Sequence, residues 1–427
     1  MIATFSERSG QDQVQLAEDL LARRDVKKAE VAIARALRNA ATPEERAKIL
    51  TLRARARLLS ARPDDALDDL NTVQTLRPEA AGAPDHLELT ADCYLARFEL
   101  ATVGFADRND TAQALALYQR IVEQYPQYEN LGWVRYQMGR AYLTDNRVTD
   151  AIEAFHDALF APSHVAALTA YCFERLAFVH FYETRDLFRA LAFINKAVDT
   201  YPMQEDRRWL VQVHILRSRI LRDAGRHDQG LKAAEDALLA ASANGGENKL
   251  SLAEAHLTTG ELLHEMENRE RDVIAHLQQF LQLSRKPLGV DVTWSRVYEM
   301  LGDAYFKTAQ YSAAASAYQN ALQFNPYHPW ELSLLYRIGR CYYQNGDYER
   351  SIQTIRQMLD VAARDGQPVS DYRVYEMLGN AYYALSRYDE ATEAYEIALS
   401  LAPANGANLE NLQTYYKLAQ ELRRNGN

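Results

Sequence analysis

The segment Val297-Tyr298-Glu299-Met300-Leu301-Gly302-Asp303-Ala304-Tyr305-Phe306 returns downstream as Val374-Tyr375-Glu376-Met377-Leu378-Gly379-Asn380-Ala381-Tyr382-Tyr383. Internal repetition at a spacing of a few tens of residues constrains a chain to stacked, similar units. In such a stack each unit buries its apolar face on its neighbours, so the repeated residues serve folding and the unrepeated ones are left for recognition.

The frame extends beyond the two segments. After Leu378-Gly379 come Tyr382, Ala391, Tyr395, Ala398, Leu399 and Pro403; after Leu301-Gly302 come Tyr305, Ala314, Tyr318, Ala321, Leu322 and Pro326. Gly339, Tyr342, Gly346, Ile355 and Leu359 mark a unit between them, and Gly139, Tyr142, Ala151, Phe155, Ala158 and Pro162 mark one upstream. Other units keep mainly their second helix: Ala190, Ile194, Ala197; Ala114, Tyr118, Ile121; Ala66, Leu70, Val73; Ala29, Ile33, Ala36. Two degenerate units surround Gly225 and Gly260. This gives about ten units over nearly the whole chain. Each reads as two amphipathic helices joined by a short turn, with turn signals at Asp145-Asn146, Ala224-Gly225 and Asn345-Gly346-Asp347.

The Leu-Gly, Tyr, Ala, aromatic and Pro positions resemble the tetratricopeptide repeat. The resemblance implies an all-α, right-handed superhelical solenoid of antiparallel helix pairs over residues 11–404, closed by a C-terminal capping helix and tail at 405–427. The spacings from Gly302 to Gly339 and from Gly339 to Gly379 exceed the family's period of about 34 residues, so the extra residues lengthen loops or helices. The stretch Val103–Asp110 reads as an inserted loop. Breaks at Ala241–Gly246 and Ser284–Gly289 flank a degenerate unit, and 241–292 is the expected place for a bend.

Composition narrows function by exclusion. A net charge of −10 disfavours bulk attraction to nucleic acid or an anionic membrane surface. No basic start followed by an apolar run opens the chain, and no apolar stretch approaches the roughly 20 residues needed to cross a bilayer. A cytoplasmic location is therefore the expectation. Cys93, Cys172 and Cys341 are far apart and read as small helical filler, not as a disulfide framework. The paired acids Asp64-Asp65 and Asp68-Asp69 read as helix-start residues that favour the helix dipole.

Catalytic motifs are missing from the sequence. There is no phosphate loop, no G-x-G-x-x-G and no nucleophile elbow. His264-Glu265-Met266-Glu267-Asn268 begins like a zinc-protease motif but has Asn268 where the second ligand must stand. His256 and His264, with Glu261 between them, read as polar helix surface. No enzymatic activity, cofactor or metal is expected.

Helical geometry sorts the first helix of each unit. At about 100° per residue, the positions three before, one after and four after the glycine share a face beside the core face. The resemblance implies that this second face lines a concave, peptide-binding groove. Those positions are Tyr336, Arg340 and Tyr343 around Gly339, with Arg337 at the margin; Glu376, Asn380 and Tyr383 around Gly379, with Arg373; Tyr136, Arg140 and Leu143 around Gly139; and Glu299, Asp303 and Phe306 around Gly302. Arginines suit carboxylates, and aromatics beside arginine typify interface anchors. Candidate partner-binding residues are therefore Tyr136, Arg140, Tyr336, Arg337, Arg340, Tyr343, Arg373, Asn380 and Tyr383. Glu299 and Asp303 stand where a clamp for chaperone tails would need Lys and Asn, which argues against that sub-type. No Tyr or Trp precedes Tyr94. That asymmetry fits either a leaner early core or a binding surface in the later units. The expected function is a non-catalytic scaffold or adaptor for a peptide or partner domain, with a regulatory subunit of a separate enzyme or transcription regulator as the alternative. The sequence leaves homo-oligomer formation open.

Overall fold

The computed structural model describes residues 10–101, 107–202, 208–243, 249–403 and 409–424. Twenty-one α-helices occupy them, and no strand is present among the described residues. The chain divides into two compact units, Met1–Asp206 and Arg207–Asn427.

The first unit holds five helix pairs: α1 (Gly10–Ala22) with α2 (Val26–Asn39), α3 (Pro43–Leu59) with α4 (Pro63–Leu76), α5 (Pro84–Leu100) with α6 (Arg108–Gln124), α7 (Leu131–Thr144) with α8 (Val148–Ala158), and α9 (Leu168–Tyr182) with α10 (Leu187–Thr200). The second holds five more: α11 (Arg208–Asp223) with α12 (His227–Ala243), α13 (Lys249–His264) with α14 (Glu270–Leu283), α15 (Val292–Lys307) with α16 (Tyr311–Phe324), α17 (Glu331–Gln344) with α18 (Tyr348–Arg364), and α19 (Tyr372–Ala384) with α20 (Tyr388–Leu401). A last helix, α21 (Leu409–Arg424), packs on α20 and buries Leu412 and Ala419.

Local chemistry sets the helix ends. Prolines open α3, α4 and α5, where a missing N–H costs nothing. Thr42 and Glu45 form a reciprocal capping box on α3, and the side chains of Asp291, Asp347 and Asp371 accept backbone N–H groups at the starts of α15, α18 and α19. Wherever the turn inside a pair is described, it passes through one left-handed residue. Only Gly225 and Gly346 are glycines there; Arg24, Ala61, Asn146, Arg185, Asn268, Ala309 and Ser386 hold the same conformation at φ between 57° and 60°. Side chains in that region cost roughly 1–2 kcal/mol each. Packing of the flanking helices imposes the turn where the sequence does not favour it.

Of the expected inserted loop Val103–Asp110, residues 103–106 lie outside the described residues, and the rest is corrected: Asp107 caps α6 through Asn109 N–H, and Arg108, Asn109 and Asp110 are already its first turn. Residues 244–246 of the expected break Ala241–Gly246, and 405–408 and 425–427 of the terminal segment, also lie outside the described residues, while Ala241–Ala243 are the last residues of α12 and not a break. The three cysteines are free and buried, and burial pushes their thiols up to about 12.

One reading of the sequence is corrected here. Asp69 is not a dipole-favouring surface residue: it is 3% exposed and clamped by two arginines of the preceding helix. Arg53 Nε donates to it at 2.9 Å and Arg57 Nη1 lies 2.6 Å away. Arg53 and Arg57 are one helical turn apart and so share the face toward α4. Arg55 between them is exposed on another face.

Candidate partner-binding site

First helices of neighbouring pairs touch one another: α1 with α3, α3 with α5 and α5 with α7 in the first unit, α11 with α13 and α17 with α19 in the second. Between α15 and α17 the link is made by Arg337, which reaches Glu299 and Asp303; the non-core face of these helices is the candidate groove.

The glycine position fixes which way that face points. A Cβ on Gly302 would come within 2.5 Å of the Tyr318 ring, and one on Gly379 within 2.5 Å of the Tyr395 ring. The glycine is therefore pressed on the second helix, and the next residue turns away from it toward the groove. Three second-helix tyrosines reach past this contact to that next residue. Tyr318 donates to Asp303 at 2.6 Å, Tyr395 donates to Asn380 at 2.8 Å, and Tyr118 donates to Asp92. Where the second-helix residue is Phe155 or Ile355, the next residue is Arg140 or Arg340. Sequence reasoning assigned core and groove to separate residues; the hydroxyl couples them.

In the second unit Arg337 and Arg340 frame a cavity of about 260 Å3, lined with Asp303, Phe306, Lys307 and Tyr318. Arg337 Nη1 donates to Asp303 Oδ1 at 2.9 Å and to Glu299 Oε1 at 3.3 Å. Burial pushes the Asp303 carboxyl up, but hydrogen bonds with His264 and Tyr318 and the charge on Arg337 outweigh it and hold the group below its ordinary range. Arg340 differs: it is exposed, lies 4.7 Å over the Phe306 ring, and has no ion-pair partner among the described residues. Tyr336 is half-buried in the field of Arg340, Arg373 and Glu376, and burial pushes its phenol up. Arg373 is exposed but folded back on Asp371, with Nη2 2.7 Å from the carboxylate. Tyr343 is half-buried and edge-on to Tyr348, while Tyr383 is edge-on to Tyr388 and to Tyr415 of α21. Asn380 is occupied by the Tyr395 hydroxyl.

The first unit treats its two candidates differently. Tyr136 is 8% exposed, packed against Trp133, Phe155 and Tyr171, so it is a core residue and not a surface anchor. Arg140 is spent on Glu99, with Nη2 2.6 Å from Oε1, and on Gln137, with Nη1 2.8 Å from Oε1. A larger groove, about 580 Å3, opens instead over α1, α3 and α5. Glu18, Arg55, Glu88 and Asp92 line it, and they stand at the same groove positions of units that have Ala17, Ala54 and Ala91 in place of the glycine. The positional rule would have found them had it been applied to units without glycine. Burial, then the neighbouring Asp92 charge, pushes the Glu88 carboxyl up to about 7, against hydrogen bonds from Tyr128 and Asn130. Burial likewise raises Asp92 despite donors from Tyr118, Gln137 and Trp133.

The histidines of α13 do not converge on one another. His256 Nδ1 instead faces His276 Nδ1 of α14 at 3.0 Å, so one neutral ring donates to the other. Among the described residues no three His, Cys, Asp or Glu side chains are grouped to hold a metal ion. Burial, then His276, holds His256 down at about 4, and burial lowers His276 against the raising effect of Asp272 and Glu235. Both folded values lie below the unfolded value near 6.5, so the unfolded chain takes up more protons and stability is lost as pH falls from 6.5 toward 4. Both rings are partly exposed, which discounts the effect to about 1 kcal/mol. Thermal melts at pH 7 and pH 5 should show a drop of a few degrees that His256→Gln reduces, the rest being due to His276; an equal drop in that variant would assign it to other groups.

The fold defines a helical-repeat protein. Three family models, each described as tetratricopeptide repeat, match residues 299–368, 372–405 and 89–128. The chain carries tetratricopeptide repeats, and its ten helix pairs are consistent with about ten of them. It is 26% identical over 119 residues to small glutamine-rich tetratricopeptide repeat-containing protein 2 of Mycosarcoma maydis, covering 28% of this chain and 31% of that protein. It is 20% identical over 275 residues to DnaJ homolog subfamily C member 3 of Gallus gallus, covering 62% of this chain and 51% of that protein. The chain thus spans about a third to a half of the length of the curated relatives it matches. Among solved structures it is similar to a thermophilic tetratricopeptide repeat protein of Thermus thermophilus, with 20% identity, a TM-score of 0.40, and coverage of 50% of this chain and 99% of that one. Proteins of this repeat are generally protein-interaction scaffolds. No helix among the described residues is long and apolar enough to cross a membrane.

Proposed function

We propose that the chain is a non-catalytic interaction scaffold of the cytoplasm that holds a peptide or a segment of a partner domain along the face of its first helices. Residues 11–404 are the repeat array in this reading, and 405–427 cap it. The observation that carries the reading is Arg340. It is an exposed guanidinium 4.7 Å over the Phe306 ring at the edge of a cavity, without an ion-pair partner among the described residues. A cation so placed is already desolvated on one side and oriented, which lowers the cost of engaging a partner's carboxylate. Tyr336 and Tyr343 on the same helix supply apolar area beside it.

Arg340→Glu tests the reading. Reversing an anchor of this kind costs a partner about 2 kcal/mol, roughly 30-fold in affinity. Tagged wild type and Arg340→Glu would be compared for the proteins each retains from the native cell, with circular dichroism on both. The expected result is loss of one near-stoichiometric partner with helicity unchanged. Full retention by a folded variant would move the site away from α17. Arg337→Glu is a poor substitute, because Arg337 closes Glu299 and Asp303 within the chain.

A further inference from the structure

The same three-residue constellation occurs twice, and among the described residues only one copy is ion-paired to an arginine. In α15, Glu299 and Asp303 stand three before and one after Gly302, with the Tyr318 hydroxyl on Asp303. In α5, Glu88 and Asp92 stand three before and one after Ala91, with the Tyr118 hydroxyl on Asp92. His264 and His328 also lie by Asp303 and Glu299, but the arginine contrast falls at the residue two before the next unit's glycine. It is Arg337 in the second unit, whose guanidinium bridges both carboxylates. In the first unit it is Gln137, whose Nε2 donates to Asp92 Oδ1 at 3.1 Å and brings no charge.

We propose that the groove over α1, α3 and α5 binds a basic side chain, a lysine or arginine carried by an extended segment of a partner protein. Its cationic head takes the place beside Glu88 and Asp92 that Arg337 takes in the other copy.

The remaining hydrogen-bond partners of the acidic floor are neutral; the Arg140 guanidinium lowers Asp92 through its field alone, being bonded to Gln137 and Glu99. Trp133 Nε1 donates to Asp92 at 3.3 Å and Asn130 Nδ2 to Glu88 at 2.9 Å. The Tyr128 hydroxyl lies 2.7 Å from Asp85 and 2.8 Å from Glu88, so a single proton serves two carboxylates. Among the described residues no ion pair joins Asp85, Glu88 or Asp92 to a cation of this chain; Arg55, which also lines the groove, forms none. The walls suit the stem of such a side chain: Leu21, Leu52, Leu58 and Leu89 line the same space. Lysine and arginine lay their methylenes along apolar surface while the charged end seeks carboxylates. The cavity of about 580 Å3 is ample for one side chain and its flanking backbone. With Glu88 titrating near 7, a proton competes with the cation, so affinity rises from pH 6 to pH 8.

The test uses the full chain and a capped ten-residue peptide of neutral residues carrying two lysines, against the same peptide with norleucine in their place, by calorimetry at pH 8 and pH 6. The lysine peptide should bind at least tenfold tighter at pH 8, and the preference should shrink at pH 6. Gln137→Arg should abolish it by filling the site from within. Glu88→Gln should abolish it by removing charge, and serves if Gln137→Arg folds poorly. Arg337→Gln should create a second lysine-preferring site. Glu153→Gln with Glu396→Gln, at positions off the groove, should change nothing, which separates the site from the general pull of an acidic protein. No lysine preference, or a preference kept by both Gln137→Arg and Glu88→Gln, overturns the proposal. The proposal shares with the scaffold reading only the use of the first-helix face. Capture that depends on Arg340 and survives Gln137→Arg would leave that reading standing whatever the lysine peptide does.

Discussion

Gly379→Leu should lower the melting temperature of the second unit by about 8 °C. The Cβ alone would stand 2.5 Å from two atoms of the Tyr395 ring, closer than packed carbons approach. The ring is fully buried, so it has no open space to swing into. Relief requires α19 and α20 to part, and that opens the cluster formed by Val374, Leu378, Ala391 and Ala398. Overpacking costs typically 1–3 kcal/mol, and the extra carbons of leucine place this site at about 3. Better helix propensity returns less than 1 kcal/mol. For a unit of this size each kcal/mol is about 2–4 °C. Ala384→Leu, on the same helix but exposed, should leave the melt within about 1 °C. Gly379→Ala combined with Tyr395→Leu should recover part of the loss, because the smaller side chain makes room. A melting curve unchanged by Gly379→Leu would mean that the two helices do not meet there.

Asp69→Ala should cost the first unit about 3 kcal/mol. The substitution removes the shared anion of Arg53 and Arg57 and leaves two guanidiniums facing one another, one of them only 19% exposed. Breaking a buried ion pair from one side costs roughly 3–5 kcal/mol, and the partial exposure of Arg53 places this case at the lower end. Arg57 keeps a second acceptor, the Asp65 carbonyl at 2.7 Å, which limits how far it can turn to solvent. Asp69→Asn should cost about half as much, since the amide oxygen still accepts from one arginine. Replacing all three residues by Leu should return most of the stability, because a filled apolar contact needs no counter-charge. Chemical denaturation read by circular dichroism measures all three, and a loss under 1 kcal/mol for Asp69→Ala would show that the clamp is a surface pair.

The repeat frame was legible because it rests on volume. Gly302 against Tyr318 and Gly379 against Tyr395 leave a signature that no other packing solution requires, and ten pairs follow from it. Turns were legible only where chemistry announces them, at Asn146, Gly225 and Gly346. At Ala61, Arg185 and Ala309 the left-handed conformation is imposed by the helices on either side and leaves no trace in residue type. The candidate site was legible by position and not by charge state. Arg340 and Arg140 occupy equivalent positions, yet Arg140 is taken by Glu99, a residue of the preceding unit that no spacing rule links to it. Tyr136 and Tyr336 are likewise equivalent. Tyr136 is sealed by Trp133 and Tyr171, while Ser333 stands in the place of Trp133 and leaves Tyr336 half-buried. The acidic groove of the first unit escaped because its units have alanine where glycine was the marker.

The hydroxyl bridges from Tyr118, Tyr318 and Tyr395 carry a consequence for how such a chain diversifies. A groove residue that also closes a core hydrogen bond is not free to drift alone: exchanging Asp303 for an apolar residue strands the Tyr318 hydroxyl, and inserting an arginine there sets a charge over it. Units with Phe155 or Ile355 beneath the groove have no such tether. Recognition chemistry in this architecture is therefore inherited in linked pairs at some units and in single letters at others. New specificities should accumulate first at the untethered units, the arginine-bearing ones.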